Sequence, residues 1–215
     1  MSKPNKSLYI FDLDGTLVNA YIAIQKSLNF TLKELDYKGV SLRRVKKSVG
    51  WGLRLFIEGF FKPQDIDKAL RIYRKHHKQS LKKYATLMPF AKKILKSLKS
   101  KKKYVAVASN RPTRFTNIIL KKLDIRKYID YVLCADKLRK IKPAPEILKR
   151  ILRRFKKSRQ ETVYIGDMVI DLEASRNAHL DSVFIKGGSN TIKEIKRFKE
   201  AKVISSLNQI LDIYE

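Results

Sequence analysis

Two carboxylates one residue apart, Asp12 and Asp14, follow the apolar run Ser7-Leu8-Tyr9-Ile10-Phe11, and Gly15-Thr16-Leu17 comes directly after them. In an extended chain, side chains two residues apart point to the same side, so the pair would present two negative charges together. Burying such a pair is costly unless a cation or strong donors compensate it. The spacing therefore points to a metal or catalytic site, with a solvated Asp-Gly turn as the plain alternative. A calcium loop does not fit, because the glycine and the distal glutamate are not where an EF-hand needs them.

Further along stand Ser109-Asn110, Lys142 before Pro143, and Gly166-Asp167 with Asp171 four residues on. Alone, each has an ordinary reading: a helix cap, a surface lysine and a turn. Together they are the groups that phosphoryl transfer from a monoester needs. Hard oxygen ligands from Asp12, Asp167 and Asp171 suit Mg²⁺, which takes few carboxylates and keeps waters. The metal and Lys142 would neutralise a phosphate, and Ser109 with the backbone near Asn110 would hold its oxygens. An aspartate can attack phosphorus to give an aspartyl phosphate, while a second carboxyl protonates the leaving oxygen and then activates water.

These residues work together only if the fold assembles them. The run Leu8–Phe11 has the composition of a strand buried on both faces of a parallel sheet. From residue 103 onward short apolar runs alternate with helical patterns: strands over Tyr104–Ala108, Tyr131–Cys134, Thr162–Ile165, Ser182–Ile185 and Lys202–Ile204. Helices are predicted over Thr113–Leu123, from Pro143 to about Phe155, around Leu172 and Ala178, and over Leu207–Tyr214. That alternation predicts an α/β fold, a doubly wound Rossmann-like parallel sheet, in which ligands bind beyond the carboxyl ends of the strands. Each chemistry-bearing residue follows one of those strand ends. Residues 18–88 read as helices without a convincing strand: one over about 18–37, one from Ser41, a break at Gly50-Trp51-Gly52, and one opening at Pro63. The expected division is a core of residues 1–17 and 89–215 with an inserted all-helical cap of residues 18–88.

With its motifs in order, Asp12-Leu13-Asp14-Gly15-Thr16, Ser109-Asn110, Lys142-Pro143-Ala144-Pro145-Glu146 and Gly166-Asp167 with Asp171, the chain resembles the haloacid dehalogenase superfamily of phosphohydrolases. The resemblance covers nearly the whole chain, cap included. It implies Asp12 as nucleophile and Asp14 as general acid/base whose backbone carbonyl also reaches Mg²⁺. It further implies Asp167 as metal ligand, Asp171 as ligand or orienter of its water, and Lys142, Ser109, Asn110, Gly15 and Thr16 around the phosphate. Dehalogenase relatives usually lack an acid at the position of Asp14, so its presence implies phosphate chemistry. The loop Val49-Gly50-Trp51-Gly52-Leu53-Arg54 resembles the cap loop of phosphoglycolate-phosphatase-like members. Arg111 replaces a lysine common in relatives, a change that alters donor geometry. His179 stands where they often have glycine, and histidine tolerates positive φ. Asn19-Ala20 replaces an acid-and-serine pair.

Of the other residues, His76 and His77 are adjacent on a helix and cannot face one ligand, so they are expected to be solvated or half-buried. Trp51 is expected either in the cap core or closing over substrate. The 215 residues carry a formal charge of +29, but the excess is spread: 16 basic against 5 acidic residues over 18–88, and 31 against 13 over 89–215. That spread favours a solvated Lys- and Arg-rich surface over a nucleic-acid site, and it would steer small anions. The one cysteine, Cys134, excludes a disulfide framework and suits a reducing cytoplasm. No apolar run reaches membrane-span length, and Met1–Lys6 lacks a signal-peptide pattern. The expectation is a cytoplasmic Mg²⁺-dependent phosphatase acting on a small phosphorylated metabolite, phosphoglycolate-like, with no oligomeric state specified. A phosphomutase using the same site and a polyanion-binding protein are the alternatives.

Overall fold

The computed structural model describes residues 6–214; the Met1–Asn5 stretch of the leader reading lies outside them. Strand β1, Leu8–Phe11, is fully buried. Its alternation places Leu8 and Ile10 in one apolar cluster and Tyr9 and Phe11 in another, so both faces of the sheet are covered.

After β1 the chain turns back at Gly15, and Val18–Asn19 forms the two-residue strand β2. Helix α1 is Tyr21–Lys33, α2 Leu42–Ser48 and α3 Leu53–Glu58; a 3-10 turn over Pro63–Asp65 leads into α4, Ile66–Tyr84. Strand β3, Thr86–Leu87, then pairs antiparallel with β2. The strand-free reading of 18–88 is thus corrected: its two ends zip together. The first helix is also shorter than expected, because Val18 is taken by that pairing. The break at Gly50-Trp51-Gly52 is a loop with φ of +107° at Gly50 and +86° at Gly52.

Helices α1 and α4 form the main packing of this block. Small residues let them approach: Ser80 Oγ donates to the Ala23 carbonyl at 2.9 Å, and Ala23, Ser27 and Ala69 are buried. Helix α4 buries Leu70, Tyr73, His77 and Leu81 and leaves Lys68, Arg71, Arg74, Lys75, Lys82 and Lys83 exposed.

The rest of the chain alternates helix and strand: α5 Ala91–Ser100, β4 Tyr104–Ser109, α6 Thr113–Lys122, β5 Tyr131–Cys134, α7 Glu146–Phe155, β6 Thr162–Gly166, α8 Val169–Ala178, β7 Asp181–Ile185, α9 Ile192–Ile195, β8 Lys202–Ile204 and α10 Gln209–Tyr214. Helix α7 begins three residues later than its proline signal, after the Pro143–Pro145 turn. Among the described residues one six-stranded sheet runs β5-β4-β1-β6-β7-β8, all parallel. Helices α5 and α6 cover the Tyr9 and Phe11 face, α7 and α8 the Leu8 and Ile10 face. Strand β1 lies in the centre, where the strand order reverses and a ligand crevice forms. At the C-terminus of α8, His179 adopts φ +56° as expected. No described helix is long and apolar enough to cross a membrane.

Candidate active site

Parallel register brings the ends of β1, β4 and β6 level: Phe11 is opposite Val107 on one side and Ile165 on the other. The residues just past those partners are Asp12, Ser109-Asn110 and Gly166-Asp167, and all four polar side chains are buried. Lys142, in the loop after β5, is 2% exposed and reaches into the same place. The surface reading of that lysine is overturned by its partners. Its Nζ donates to Asp12 Oδ1 at 2.6 Å, Asp171 Oδ1 at 2.7 Å, the Tyr164 hydroxyl at 2.9 Å and the Ala108 carbonyl at 3.2 Å. An ammonium has three hydrogens, so four protein acceptors share them.

Tyr164 is a member of this site that sequence reading missed, since in the run Thr162–Ile165 it looks like one more β-former. Its hydroxyl accepts from Lys142 and donates to Asp171 Oδ1 at 2.8 Å. It thereby fixes the lysine against the acid. Asn110 has a related task. Its Oδ1 accepts from the Lys142 backbone N–H at 3.0 Å, and its Nδ2 donates to the Lys142 carbonyl at 3.0 Å and to the Gly50 carbonyl at 2.7 Å. One side chain thus ties the Lys142 loop to the loop at the tip of the helical block. Ser109 Oγ accepts from the Arg111 N–H at 3.1 Å, which leaves its own proton for an acceptor in the cleft.

Asp167 is held on all sides. Oδ1 accepts from Thr16 Oγ1 at 3.0 Å, and Oδ2 accepts from the Ser189 N–H at 2.7 Å, with the Tyr21 hydroxyl at 3.4 Å. Thr16 is therefore turned to an acid, and it is fully buried. Gly15, at φ +86°, lets the chain double back there: a Cβ would lie 2.3 Å from Asp167 Oδ2.

Asp12, Asp167 and Asp171 each offer an oxygen within 4.8 Å of the others. Three buried carboxylates facing one ammonium leave the cluster short of positive charge. Burial raises the Asp12 carboxyl from 3.8 to about 7 against the pull of Lys142, with Asp171 and Asp14 adding to the rise. Burial, then the charges of Asp12 and Asp171, push Asp167 well above the carboxylate range. Burial works to lower the Lys142 ammonium, yet Asp12 and Asp171 outweigh it and hold it up. A Cβ on Gly166 would meet Asp171 at 2.5 Å, and one on Gly188 would meet Asp167 at 1.9 Å, so the acids lie against bare backbone. An all-oxygen, charge-deficient cradle of this kind fits a hard divalent cation such as Mg²⁺.

Beside the cradle a cleft opens between the strand ends and the helical block. Asp12, Asp14, Ser109 and Lys142 line its floor; Ile24, Leu53, Phe56, Tyr73, Phe115 and Ile170 form much of its apolar wall. Asp14 meets Arg111 through a two-point fork, Nε to Oδ2 at 2.7 Å and Nη2 to Oδ1 at 2.9 Å. Arg111 Nη1 lies 2.9 Å from His77 Nε2. A guanidinium has only donors, so Nε2 accepts. Nδ1 then carries the proton and donates to Ser27 Oγ at 2.9 Å, which donates in turn to the Ala23 carbonyl at 2.9 Å. Burial, reinforced by Arg111, holds the His77 pKa well below its usual range. The solvated or half-buried reading of His77 is therefore corrected: it is 1% exposed and belongs to the cleft. His76 is half-buried and stacks on Phe30 at 4.3 Å. Trp51 is 44% exposed, so it is not part of the core, and it is absent from the lining of the cleft.

The chain resembles known proteins along its whole length. It is 30% identical over 169 residues to a phosphoglycolate phosphatase of Aquifex aeolicus, covering 79% of each chain. It is 28% identical over 221 residues to one from Colwellia psychrerythraea, covering 98% of each. A crystal structure described as a predicted phosphoglycolate phosphatase from Haemophilus somnus superposes with a TM-score of 0.92 over 98% of both chains at 24% identity, a likeness of fold. The family model for haloacid dehalogenase-like hydrolases matches residues 9–185, which takes in every residue of the acid cradle and the Lys142 loop. With that match laid over a buried carboxylate triad at the ends of three parallel strands, the chain belongs to the haloacid dehalogenase-like hydrolase family.

Proposed function

We propose that this hydrolase is a phosphatase that removes phosphate from a small monoester by way of an aspartyl phosphate on Asp12. The observation that carries the reading is the set Asp12, Asp14, Ser109 and Lys142 lining one cleft directly beside the Asp12–Asp167–Asp171 cradle. The cradle would hold Mg²⁺ through Asp12 and Asp167, with the Asp14 backbone carbonyl and Asp171 completing or orienting its shell. That ion supplies charge neutralisation for the phosphate. Asp12 attacks phosphorus in line with the leaving oxygen. Lys142 keeps the nucleophile and Asp171 aligned, Ser109 and the backbone around Asn110 hold phosphate oxygens, and Asp14 gives a proton to the leaving alcohol and later takes one from water. Residues 18–88 act as a cap that excludes bulk water from the cleft. The phosphoglycolate phosphatases among its relatives support a small anionic ester as substrate, and the single cysteine, Cys134, suits a cytoplasmic setting.

The test is phosphate release from an aryl phosphate and a panel of small monoesters, with Mg²⁺ or with EDTA, by wild type and Asp12→Asn. Release that needs the metal and falls to background in the variant is the expected outcome. Transfer of phosphate to a second position of a sugar phosphate, without net release, would replace the phosphatase by a mutase.

A further inference from the structure

Arg111 is a charged side chain in a largely apolar part of the cleft, and its position there has to be explained. Its side chain is 7% exposed, and it lines the cleft with Tyr73, His77 and Phe115. Of its five N–H groups, Nε–H and one on Nη2 go to Asp14, and one on Nη1 goes to His77. One hydrogen on each Nη is left without a partner among the described residues. Lys142, the other cation lining the cleft, has its hydrogens shared among four protein acceptors. Arg111 is thus the cation in the cleft with donors to spare.

Its surroundings keep it in place for a ligand. His77 presents an acceptor and is itself fixed through Ser27 to the Ala23 carbonyl on α1. The Arg111 backbone N–H is fixed by Ser109 Oγ. The guanidinium therefore bridges the floor of the cleft and the helical block, beside Asp14 and on the side where the leaving group must lie. Phe115 and Ile24, which also line the cleft, offer no competing acceptor, and their apolar surface strengthens any charge-assisted bond made there.

We propose that Arg111 is the specificity-determining residue of this site. It selects esters whose alcohol carries a second anionic group, a carboxylate or a phosphate, a few atoms from the scissile oxygen. The proposal rests on the phosphatase reading above. The incoming anion shares the guanidinium with Asp14 through the two remaining N–H groups, and the apolar wall packs the carbon atoms between its two charged ends. A lysine at this position would keep the charge and lose the planar fork that serves two anions at once.

The test is calorimetric binding, in the presence of Mg²⁺, to the Asp12→Asn protein. Three probes differ only at the far end: 2-phosphoglycolate, ethylene glycol bisphosphate and 2-hydroxyethyl phosphate. One or both anionic probes should bind about 10- to 100-fold more tightly than the neutral one, the range expected for charge-assisted bonds. Which of them gains identifies the recognised group. The preference should fall to within about threefold when Arg111→Met is added, and Arg111→Lys should keep part of it. Equal affinities for the three probes in Asp12→Asn, a comparison that leaves Arg111 intact, would overturn the proposal. So would a preference that survives Arg111→Met in a folded double variant. Turnover of the same esters by the wild-type enzyme is scored separately: its absence counts against the phosphatase reading, whereas equal affinities count against Arg111.

Discussion

The centre of the site is an imbalance of charge among a few side chains. Asp12, Asp167 and Asp171 face Lys142, which cannot satisfy all three, and Tyr164 distributes what it offers by accepting from the lysine and donating to Asp171. Removing that hydroxyl leaves Lys142 three acceptors for its three hydrogens but takes a donor from the buried Asp171 carboxylate, in a medium where such bonds are strong. Tyr164→Phe is therefore expected to destabilise the protein by about 1.5–3 kcal/mol in denaturant unfolding, the range for a hydrogen bond to a charged group. It should also lower kcat more than it changes KM, since the residue aligns reacting groups without touching the leaving alcohol. An unchanged kcat would show that Lys142 and Asp171 hold their places without it.

At the scale of elements, each strand end delivers one part of the chemistry, and the caps and turns around them set the angles. Helix α8 carries Asp171 and ends on His179 at φ +56°, where a residue with a side chain is strained. His179→Gly should stabilise the protein by about 1 kcal/mol, read as a higher denaturant midpoint, with turnover unaffected. Much of this layer was legible in the sequence. Short β-rich runs followed by Asp, Ser-Asn or Gly-Asp marked β1, β4 and β6, because a buried parallel strand has few polar residues until it leaves the sheet. The pairing of Val18–Asn19 with Thr86–Leu87 was not legible. Two residues carry no periodicity, and their partners lie on opposite sides of the whole helical block. For the same reason the contacts of Arg111 with His77 and of Asn110 with Gly50 could not be read: they join segments 34 and 60 residues apart. Adjacent histidines on a helix could be told not to share a ligand, but which of them faced inward depended on how α4 rotates against α1.

For the whole molecule, the buried acids couple stability to proton and metal binding. Asp12 rises from 3.8 to about 7 on folding without metal, and Asp167 shifts in the same direction. Folding then favours the protonated acids, so their contribution is fully present below about pH 4 and is lost as pH rises toward about 7. A bound divalent cation reverses this by favouring the ionised forms. The gain in Tm on adding Mg²⁺ to EDTA-treated protein should accordingly be larger near about pH 8 than near about pH 5. A gain that did not depend on pH would place the metal elsewhere. The charge of +29 belongs to the same scale: cations on α4, together with Lys149, Arg153 and Arg154 on α7, lie on solvated faces. What distinguishes this account from any other use of the same cleft is a covalent bond between phosphate and Asp12. The direct measurement is acid-quenched single turnover with a monoester carrying a radiolabelled phosphate, in Mg²⁺, followed by counting of the denatured protein. Label should appear on the wild-type chain, map to the peptide containing Asp12, and be absent from Asp12→Asn. Rapid release of phosphate with no label passing through the protein would contradict the account and assign the attack to water.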